Sequence, residues 1–164
     1  MGKDAEIAEK FWKALRSDRT IMLGLIDVED GHAQPMTAIV DGESNAGPIW
    51  IFSAKKVDLV KALGQGADAA AHFVAKDHGL FASIHGRLTP DNDPAVIDRL
   101  WNRFVAVWYK NGKSDPELQL LRFDPDRAQV WLNESSVFAG IQLILGKDPK
   151  TVYKDKVAEV ELAS

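Results

Sequence analysis

The sequence contains no cysteine, which excludes disulfide bonds, thiolate metal ligands and cysteine nucleophiles and is typical of a reducing compartment. It also lacks any apolar run approaching the ~18 residues of a membrane-spanning helix, and residues 1–10 lack the apolar core of a signal peptide. Lysine and arginine number 20 against 24 aspartate and glutamate residues, which argues against a dedicated nucleic-acid binder. We therefore expect a cytoplasmic protein with no nucleic-acid or membrane partner.

The length and composition are those of an ordinary globular protein. With 164 residues, the chain is expected to form one domain over residues 1–164. A domain of this size buries roughly 70% of its unfolded surface and needs no disulfide or structural metal to be stable. Five tryptophans are many for this length, and we expect them to pack in the core or in a dimer interface. They are Trp12, Trp50, Trp101, Trp108 and Trp131.

Apolar periodicity and capping residues predict helices over residues 4–16, 55–63 and 94–109. Asp4 is the expected N-cap of the first helix, and Gly64 the expected C-cap of the second. Seven apolar runs of strand length alternate with turn residues. They cover residues 20–28, 34–40, 48–52, 69–75, 79–88, 117–123 and 127–133.

Short connections between these strands favour antiparallel neighbours, and so many strands with few helices predict a closed or nearly closed barrel. Asp30-Gly31 predicts a hairpin, and Asp124-Pro125-Asp126 predicts a tight turn between two strands. Towards the C-terminus, residues 136–145 suggest a short helix and residues 156–162 alternate like an edge strand.

One segment combines a strand end with a helix start in an unusual way. The predicted strand ends at Phe52, which puts Ser53 at the N-cap and Lys55 and Lys56 in the first helical turn. Cations are disfavoured at a helix N-terminus, and local rules tend to be broken at functional sites. Free N–H groups, a hydroxyl and ammonium groups together predict a phosphate cradle. The alternative is a pair of solvated lysines on a surface helix.

Three other patterns carry less functional information. Gly64–Ala69 matches G-x-G-x-x-A but follows a helix instead of a strand, so a cap and a turn are the better interpretation. His72, His78 and His85 lack metal-ligand spacing, and no metal site is predicted. The serines lack the flanking glycines of a nucleophile elbow, which argues against a hydrolase.

Four stretches of the chain together carry a resemblance to a known family. They are Gln-Pro-Met-Thr at 34–37, Ile-Trp-Ile-Phe-Ser at 49–53, Phe-Ala-Ser-Ile-His-Gly-Arg at 81–87, and a helix with final strands at 100–109, 115–116 and 128–131. In order and spacing the chain resembles the general stress protein 26 group of the pyridoxamine 5'-phosphate oxidase-like, FMN-binding split-barrel proteins. The resemblance extends over about residues 5–133.

The resemblance implies a mainly β fold, a six-stranded antiparallel split β-barrel with flanking helices. It also implies a homodimer that holds a flavin, FMN in preference to FAD, at the subunit interface. Ser53 with Lys55 or Lys56 would hold the phosphate. Met36, Thr37 and Phe52 would flank the isoalloxazine ring or the ribityl chain, and Trp131 would close the ring pocket. The expected cofactor-binding set is Gln34, Pro35, Met36, Thr37, Trp50, Ile51, Phe52, Ser53, Lys55, Lys56 and Trp131.

Two departures from the family pattern limit what the resemblance implies. Gln34 stands where the family has an arginine, which removes a fixed cation near the flavin. No segment rich in arginine and histidine follows Arg127, which argues against pyridoxamine phosphate oxidation. Two functions remain open: an FMN-dependent oxidoreductase of unknown substrate, or a non-catalytic module that binds or stores flavin, haem or another small molecule. No catalytic residue is assigned.

Overall fold

The computed structural model describes residues 2–29, 31–43, 45–133 and 157–162, and it begins with a long amphipathic helix, α1 (Lys3–Asp18). Its buried stripe is the predicted one, with Ile7, Phe11 and Leu15 packed into the core. The N-cap is Gly2, so the prediction of Asp4 was wrong; Asp4 lies in the first turn. In the described ranges no helix combines the length and the apolarity that crossing a membrane requires.

The predicted nearly closed antiparallel barrel with flanking helices is confirmed. Its strands pair in the order β2-β1-β5-β6-β7-β4-β3, and β8 adds to the free side of β7. The split lies between the edges β2 and β3. The eight strand segments, against the six expected, are β1 (Thr20–Leu25), β2 (Gln34–Thr37), β3 (Ile39–Val40), β4 (Ile49–Ala54), β5 (Ala67–Val74), β6 (Leu80–Pro90), β7 (Leu118–Leu132) and β8 (Val157–Glu161).

The longest strand, β7, contradicts the prediction of a tight turn at Asp124-Pro125-Asp126. The chain stays extended there and pairs with β6 on both sides of an irregularity at His85/Gly86. Gly86 makes this possible, because a Cβ at that position would collide with the Asp124 carbonyl and with Pro125. A β-bulge bends the strand pair without ending it.

The second predicted strand, residues 34–40, is divided at Ala38. Its N–H leaves the sheet and donates to the Arg19 carbonyl over 2.6 Å, which separates β2 from β3. Asp30 of the expected hairpin lies outside the described residues. Gly31 belongs to the connection between β1 and β2, which is longer than a two-residue hairpin turn.

The helix predicted over residues 55–63 begins later, as α2 (Asp58–Leu63), and Gly64 closes it with a positive φ of 60°. The helix predicted over residues 94–109 is broken into α3 (Pro94–Leu100) and α4 (Arg103–Ala106). Asp93 caps α3, and the break occurs because the Asn102 side chain accepts hydrogen bonds from two N–H groups of α4. The helix predicted over residues 136–145 lies outside the described residues.

Two apolar clusters flank strand β4. Its residues alternate: Ile49 and Ile51 face the main core, whereas Trp50 and Phe52 face a smaller cluster beneath α3. The main core also takes in the α1 stripe, including Trp12. Strand β4 is therefore covered on both faces, and the end of the strand is the part that reaches open space.

Candidate functional site

A cleft of about 760 Å³ opens along the split of the barrel. Ligand sites in proteins typically measure 300–1,000 Å³, so the cleft has room for a cofactor of moderate size. Apolar side chains make up most of its walls, and a few polar and charged groups converge on them. The residues that line it are Asp18, Arg19, Thr20, Pro35, Met36, Thr37, Ile39, Phe52, Ser53, Ala54, Lys56, Val57, Asn102, Phe104, Val105, Trp108 and Tyr109.

The edge strand β2 forms one wall. It pairs only with β1, through contacts such as Thr37 with Thr20, so its other edge faces the split. Pro35 suits such an edge because it has no N–H to leave unpaired. Met36 is half-buried and supplies an apolar surface. The structure thus brings three predicted residues, Pro35, Met36 and Thr37, to the cleft.

The end of β4 forms the opposite wall. Strand β3 pairs with β4 only at Ile49 and Trp50, so the remainder of that edge faces the split. Ser53 is only 8% exposed, and within the described parts of the chain no hydrogen-bonding partner is found for its hydroxyl. Buried polar groups nearly always have a partner. An unpartnered buried hydroxyl in a cleft wall therefore points to a ligand.

Ser53 lies inside strand β4 and does not cap a helix, so this part of the sequence prediction was wrong. A turn follows the strand, closed by a hydrogen bond of 3.0 Å from the Val57 N–H to the Ala54 carbonyl. Lys55 and Lys56 occupy this turn and do not belong to a helix. Helix α2 has only six residues and is capped by Val57, without a side-chain hydrogen bond. The predicted helix N-terminus therefore contributes nothing to an anion site.

The sequence could not distinguish the two lysines as phosphate ligands, but the turn places them differently. Lys56 lines the cleft, whereas Lys55 does not. The backbone of both lysines is held by Glu117, the residue just before β7. The Lys55 N–H donates to the Glu117 carbonyl over 2.9 Å, and the Lys56 N–H donates to a Glu117 carboxylate oxygen over 3.2 Å.

Carboxylates stand close to Lys56. The pKa of Asp115 is lowered, first by hydrogen bonds from the Asn111 and Glu117 N–H groups and further by the nearby positive charge of Lys56. The Lys56 ammonium forms no ion pair within 4 Å in the described ranges. It is thus available to an anionic ligand, which would compete with these exposed carboxylates.

Three aromatic rings pack together at the cleft, two of them, Phe52 and Tyr109, in its wall. Phe52 lies edge-on to Trp101 with ring centroids 6.0 Å apart, and Tyr109 lies 5.8 Å from Trp101. The Tyr109 hydroxyl donates a 2.6 Å hydrogen bond to the Ser53 carbonyl, which ties the end of β4 to the segment after α4. This contact fixes the strand position from which the Ser53 hydroxyl projects.

Tyr109 is only 7% exposed, and its pKa is raised to about 12, chiefly by burial and further by the negative charge of Asp115. Unfolded tyrosine ionises near pH 10. Between these values the unfolded state loses its proton first, so this contribution to stability is complete below pH 10 and is lost as the pH rises towards 12.

We expect one of the two tyrosines to titrate near pH 12 in the folded protein. The measurement is the near-ultraviolet absorbance of tyrosinate during alkaline titration. Tyr109→Phe should remove the step near pH 12. The absence of such a step in the folded wild-type protein would contradict the burial of Tyr109.

The structure keeps five of the predicted site residues away from the cleft. Trp50 and Ile51 are buried, and Lys55 does not line the cleft. Gln34 lines a separate, smaller cleft of about 220 Å³ beside the β1–β2 connection. Trp131 lies on β7 between Phe81 and Val157, on a part of the sheet that does not line the cleft.

Sequence reasoning missed the residues that α1 and α4 bring to the cleft. Arg19 and Thr20 follow α1 directly, and the α4 segment contributes Phe104, Val105 and Trp108. The apolar spacing of residues 94–109 suggested one continuous buried helix. The signal that was available is Asn102, a strong N-cap residue in the middle of that stretch. No group of three or more potential metal-ligating side chains occurs in the ranges that the structure covers.

Comparison with known proteins gives a consistent family match. A family model described as "Pyridoxamine 5'-phosphate oxidase like" matches residues 6–152. No curated protein matches the chain.

Several solved structures are similar over most of the chain. A general stress family protein from Xanthomonas campestris pv. campestris is 59% identical, with a TM-score of 0.77, over 83% of this chain and 93% of that one. The general stress FMN/FAD binding protein from Xanthomonas citri is 61% identical, with a TM-score of 0.76, over 80% of this chain and 92% of that one. General stress protein 26 from Jannaschia sp. CCS1 is 24% identical, with a TM-score of 0.75, over 98% and 99% of the two chains, which shows the shared fold alone.

Proposed function

The chain belongs to the pyridoxamine 5'-phosphate oxidase-like family, and from this premise we propose that it binds a flavin phosphate, FMN in preference to FAD, in the split cleft. The observation that carries the proposal is the buried, unpartnered hydroxyl of Ser53 in a cleft that Lys56 also lines. A related protein, 61% identical, is described as FMN/FAD binding.

The residues of the cleft fit the two chemically different halves of FMN. A phosphate takes a hydroxyl donor and an ammonium group, which Ser53 and Lys56 supply. An isoalloxazine ring takes flat apolar walls, for which Met36 and Phe52 are suited. Thr37 adds a hydroxyl to the cleft wall. Gln34 and Trp131 do not line this cleft and are not assigned to the site.

We further propose that the protein is a flavin-dependent oxidoreductase. A bound flavin supplies hydride and electron transfer, while the protein binds it, orients it and restricts water. Tyr109 stays protonated at neutral pH and holds the end of β4 through the Ser53 carbonyl, so it keeps the phosphate-binding wall in place. After Arg127 the only cations are Lys147, Lys150, Lys154 and Lys156, a pattern that does not support pyridoxamine phosphate as the substrate.

The test is a titration of the flavin-free protein with FMN, FAD and riboflavin, followed by absorbance and flavin fluorescence. FMN should bind more tightly than riboflavin, because only FMN carries the phosphate. Equal affinity for the two would reject the phosphate site, and no binding of any flavin would reject the function. Oxidation of NADH or NADPH by the loaded protein separates an oxidoreductase from a flavin carrier.

We also propose that the protein is a homodimer and that the partner covers the mouth of the cleft. Phe104, Val107 and Trp108 are 69%, 81% and 82% exposed on one short segment beside the cleft. Large apolar side chains clustered in this way typically mark an interface. Trp12 is buried in the core and Trp101 packs against Tyr109 of the cleft wall, whereas Trp108 is exposed and is the tryptophan we assign to the interface.

Light scattering at micromolar concentration should give the mass of a dimer, since stable interfaces bury about 1,200–2,000 Å². The double substitution Val107→Ser and Trp108→Ser should shift the protein towards monomer while its circular dichroism spectrum stays that of the folded protein. A monomeric wild-type protein would contradict the proposed dimer.

A further inference from the structure

Arg19 adopts a backbone conformation that arginine rarely takes. It ends helix α1 with φ 60° and ψ −10°, in the left-handed region where glycine is usual. For other residues this conformation costs about 1–2 kcal/mol. The residue is held there from two sides, because its N–H donates to the Leu15 carbonyl over 3.0 Å and its carbonyl accepts from the Ala38 N–H over 2.6 Å. Local strain of this kind clusters at ligand-binding sites.

Arg19 is one of the charged residues of the cleft wall, and in the ranges the structure covers it forms no ion pair. The neighbouring carboxylate, Asp18, also lines the cleft, where it accepts a hydrogen bond from the Lys76 N–H over 2.7 Å and does not pair with Arg19. Of the residues lining the cleft, only Arg19 and Lys56 carry a positive charge.

The backbones of Arg19 and Lys56 lie at different positions along the cleft. The Arg19 carbonyl accepts a hydrogen bond from the Ala38 N–H, and the next residue, Ile39, pairs with Trp50 of β4. Lys56 lies beyond Ala54, at the far end of the same strand. From Trp50 to Ala54 the strand advances about 13 Å at the usual rise per residue. A ligand that contacts both side chains must therefore present a negative charge or a hydrogen-bond acceptor to each of them, at two separate points.

We propose that Arg19 is a second cation of the flavin site, separate from the phosphate-binding group, and that it favours the reduced form of the flavin; this rests on the function proposed above. Two-electron reduction with uptake of one proton adds one negative charge to the flavin ring system. A fixed cation near the ring stabilises that charge and raises the reduction potential. Lys56, at the phosphate end, acts equally on both redox states.

The test compares Arg19→Gly, Arg19→Lys and Lys56→Ala with the wild-type protein. Glycine removes the charge and also relieves the strain at φ 60°, so Arg19→Gly should fold at least as well as wild type by urea denaturation. The probes are FMN and riboflavin, and the readouts are their affinities and the midpoint potential of bound FMN during reduction by dithionite.

In Arg19→Gly we expect reduced FMN to lose about ten-fold more affinity than oxidised FMN, which lowers the midpoint potential by about 30 mV. The ratio of FMN to riboflavin affinity should stay at the wild-type value, and Arg19→Lys should retain most of the potential. Lys56→Ala should give the opposite pattern, with a reduced FMN-to-riboflavin ratio and an unchanged potential.

Failure of the inference and failure of the proposed function are distinguishable. If wild-type protein binds no FMN, both are rejected. If it binds FMN and Arg19→Gly keeps the wild-type midpoint potential, only the role of Arg19 is rejected. If Arg19→Gly instead lowers the FMN-to-riboflavin ratio, Arg19 serves the phosphate and the separation of the two cations is rejected.

Discussion

Replacing Lys56 with alanine is expected to weaken FMN binding about 10- to 150-fold, the range for losing a hydrogen bond to a charged group. The reason is that Lys56 lines the cleft beside the buried hydroxyl of Ser53 and has no ion pair of its own in the described ranges. Fluorescence titration of the flavin-free protein measures the change. Riboflavin affinity should change much less, because riboflavin lacks the phosphate.

Lys55 provides a matched control for this experiment. It has the same side chain, is exposed in the same turn, and does not line the cleft. Lys55→Ala should therefore leave FMN affinity within about two-fold of wild type, as expected for an exposed charge without a specific contact. Equal losses in both variants would mean that the lysines act only through net charge, and the assignment of Lys56 would be rejected.

Replacing Gly86 with alanine is expected to destabilise the fold by about 3 kcal/mol or more, the upper end of the range for overpacked sites. The added Cβ would collide with the Asp124 carbonyl and with the Cα of Pro125, both of which belong to the backbone of β7. Backbone atoms cannot rotate away as side chains do, so the bulge that keeps β6 and β7 paired would have to open. Urea denaturation measures the change in the free energy of unfolding.

Gly24 in β1 is the control for the Gly86 substitution. A Cβ there would lie 3.3 Å from the nearest atom, the Cα of Ala33 in the β1–β2 connection, which can yield by a few tenths of an ångström. Gly24→Ala should cost less than about 1 kcal/mol, in line with the smaller effects of mild crowding. If the two variants unfold at the same urea concentration, the close approach at Gly86 is not what limits β6–β7 pairing.

The sequence predicts most of the elements because their signals are local. The four-residue spacing of Ile7, Phe11 and Leu15 defines α1, and alternating apolar residues define strands such as β6. The resemblance carried by the order of the four motifs implies the split barrel. These patterns depend on residues close in sequence, and no distant partner is needed to interpret them.

The errors occur where a distant partner overrides the local preference. Asp124-Pro125-Asp126 has the composition of a turn, yet it stays extended because Gly86 leaves room for it. Ser53 resembles an N-cap, yet β4 continues to Ala54 because it pairs there with Leu118 of β7. A single sequence contains no indication of which strand will lie alongside, so tertiary pairing decides these positions.

The candidate site was predicted in part for the same reason. Pro35, Met36, Thr37, Phe52, Ser53 and Lys56 were expected and line the cleft. Arg19 was not expected, because nothing in its neighbourhood reveals that the chain turns left-handed there or that β2 passes beside it. Distinguishing Lys56 from Lys55 likewise needed the turn geometry, since the two side chains are identical.

The separation of the cleft walls along the chain also determines when the cleft forms during folding. The walls of the cleft come from four separate stretches of chain. The β4 wall is held by pairing with β7, 64–74 residues later in sequence, a separation typical of slow-forming contacts. Any contiguous fragment that contains both the walls and the part of β7 that pairs with β4 must extend over residues 18–123. A cofactor bound there would therefore stabilise only the completely assembled barrel, so its retention would report on global unfolding and would be insensitive to fraying of single elements.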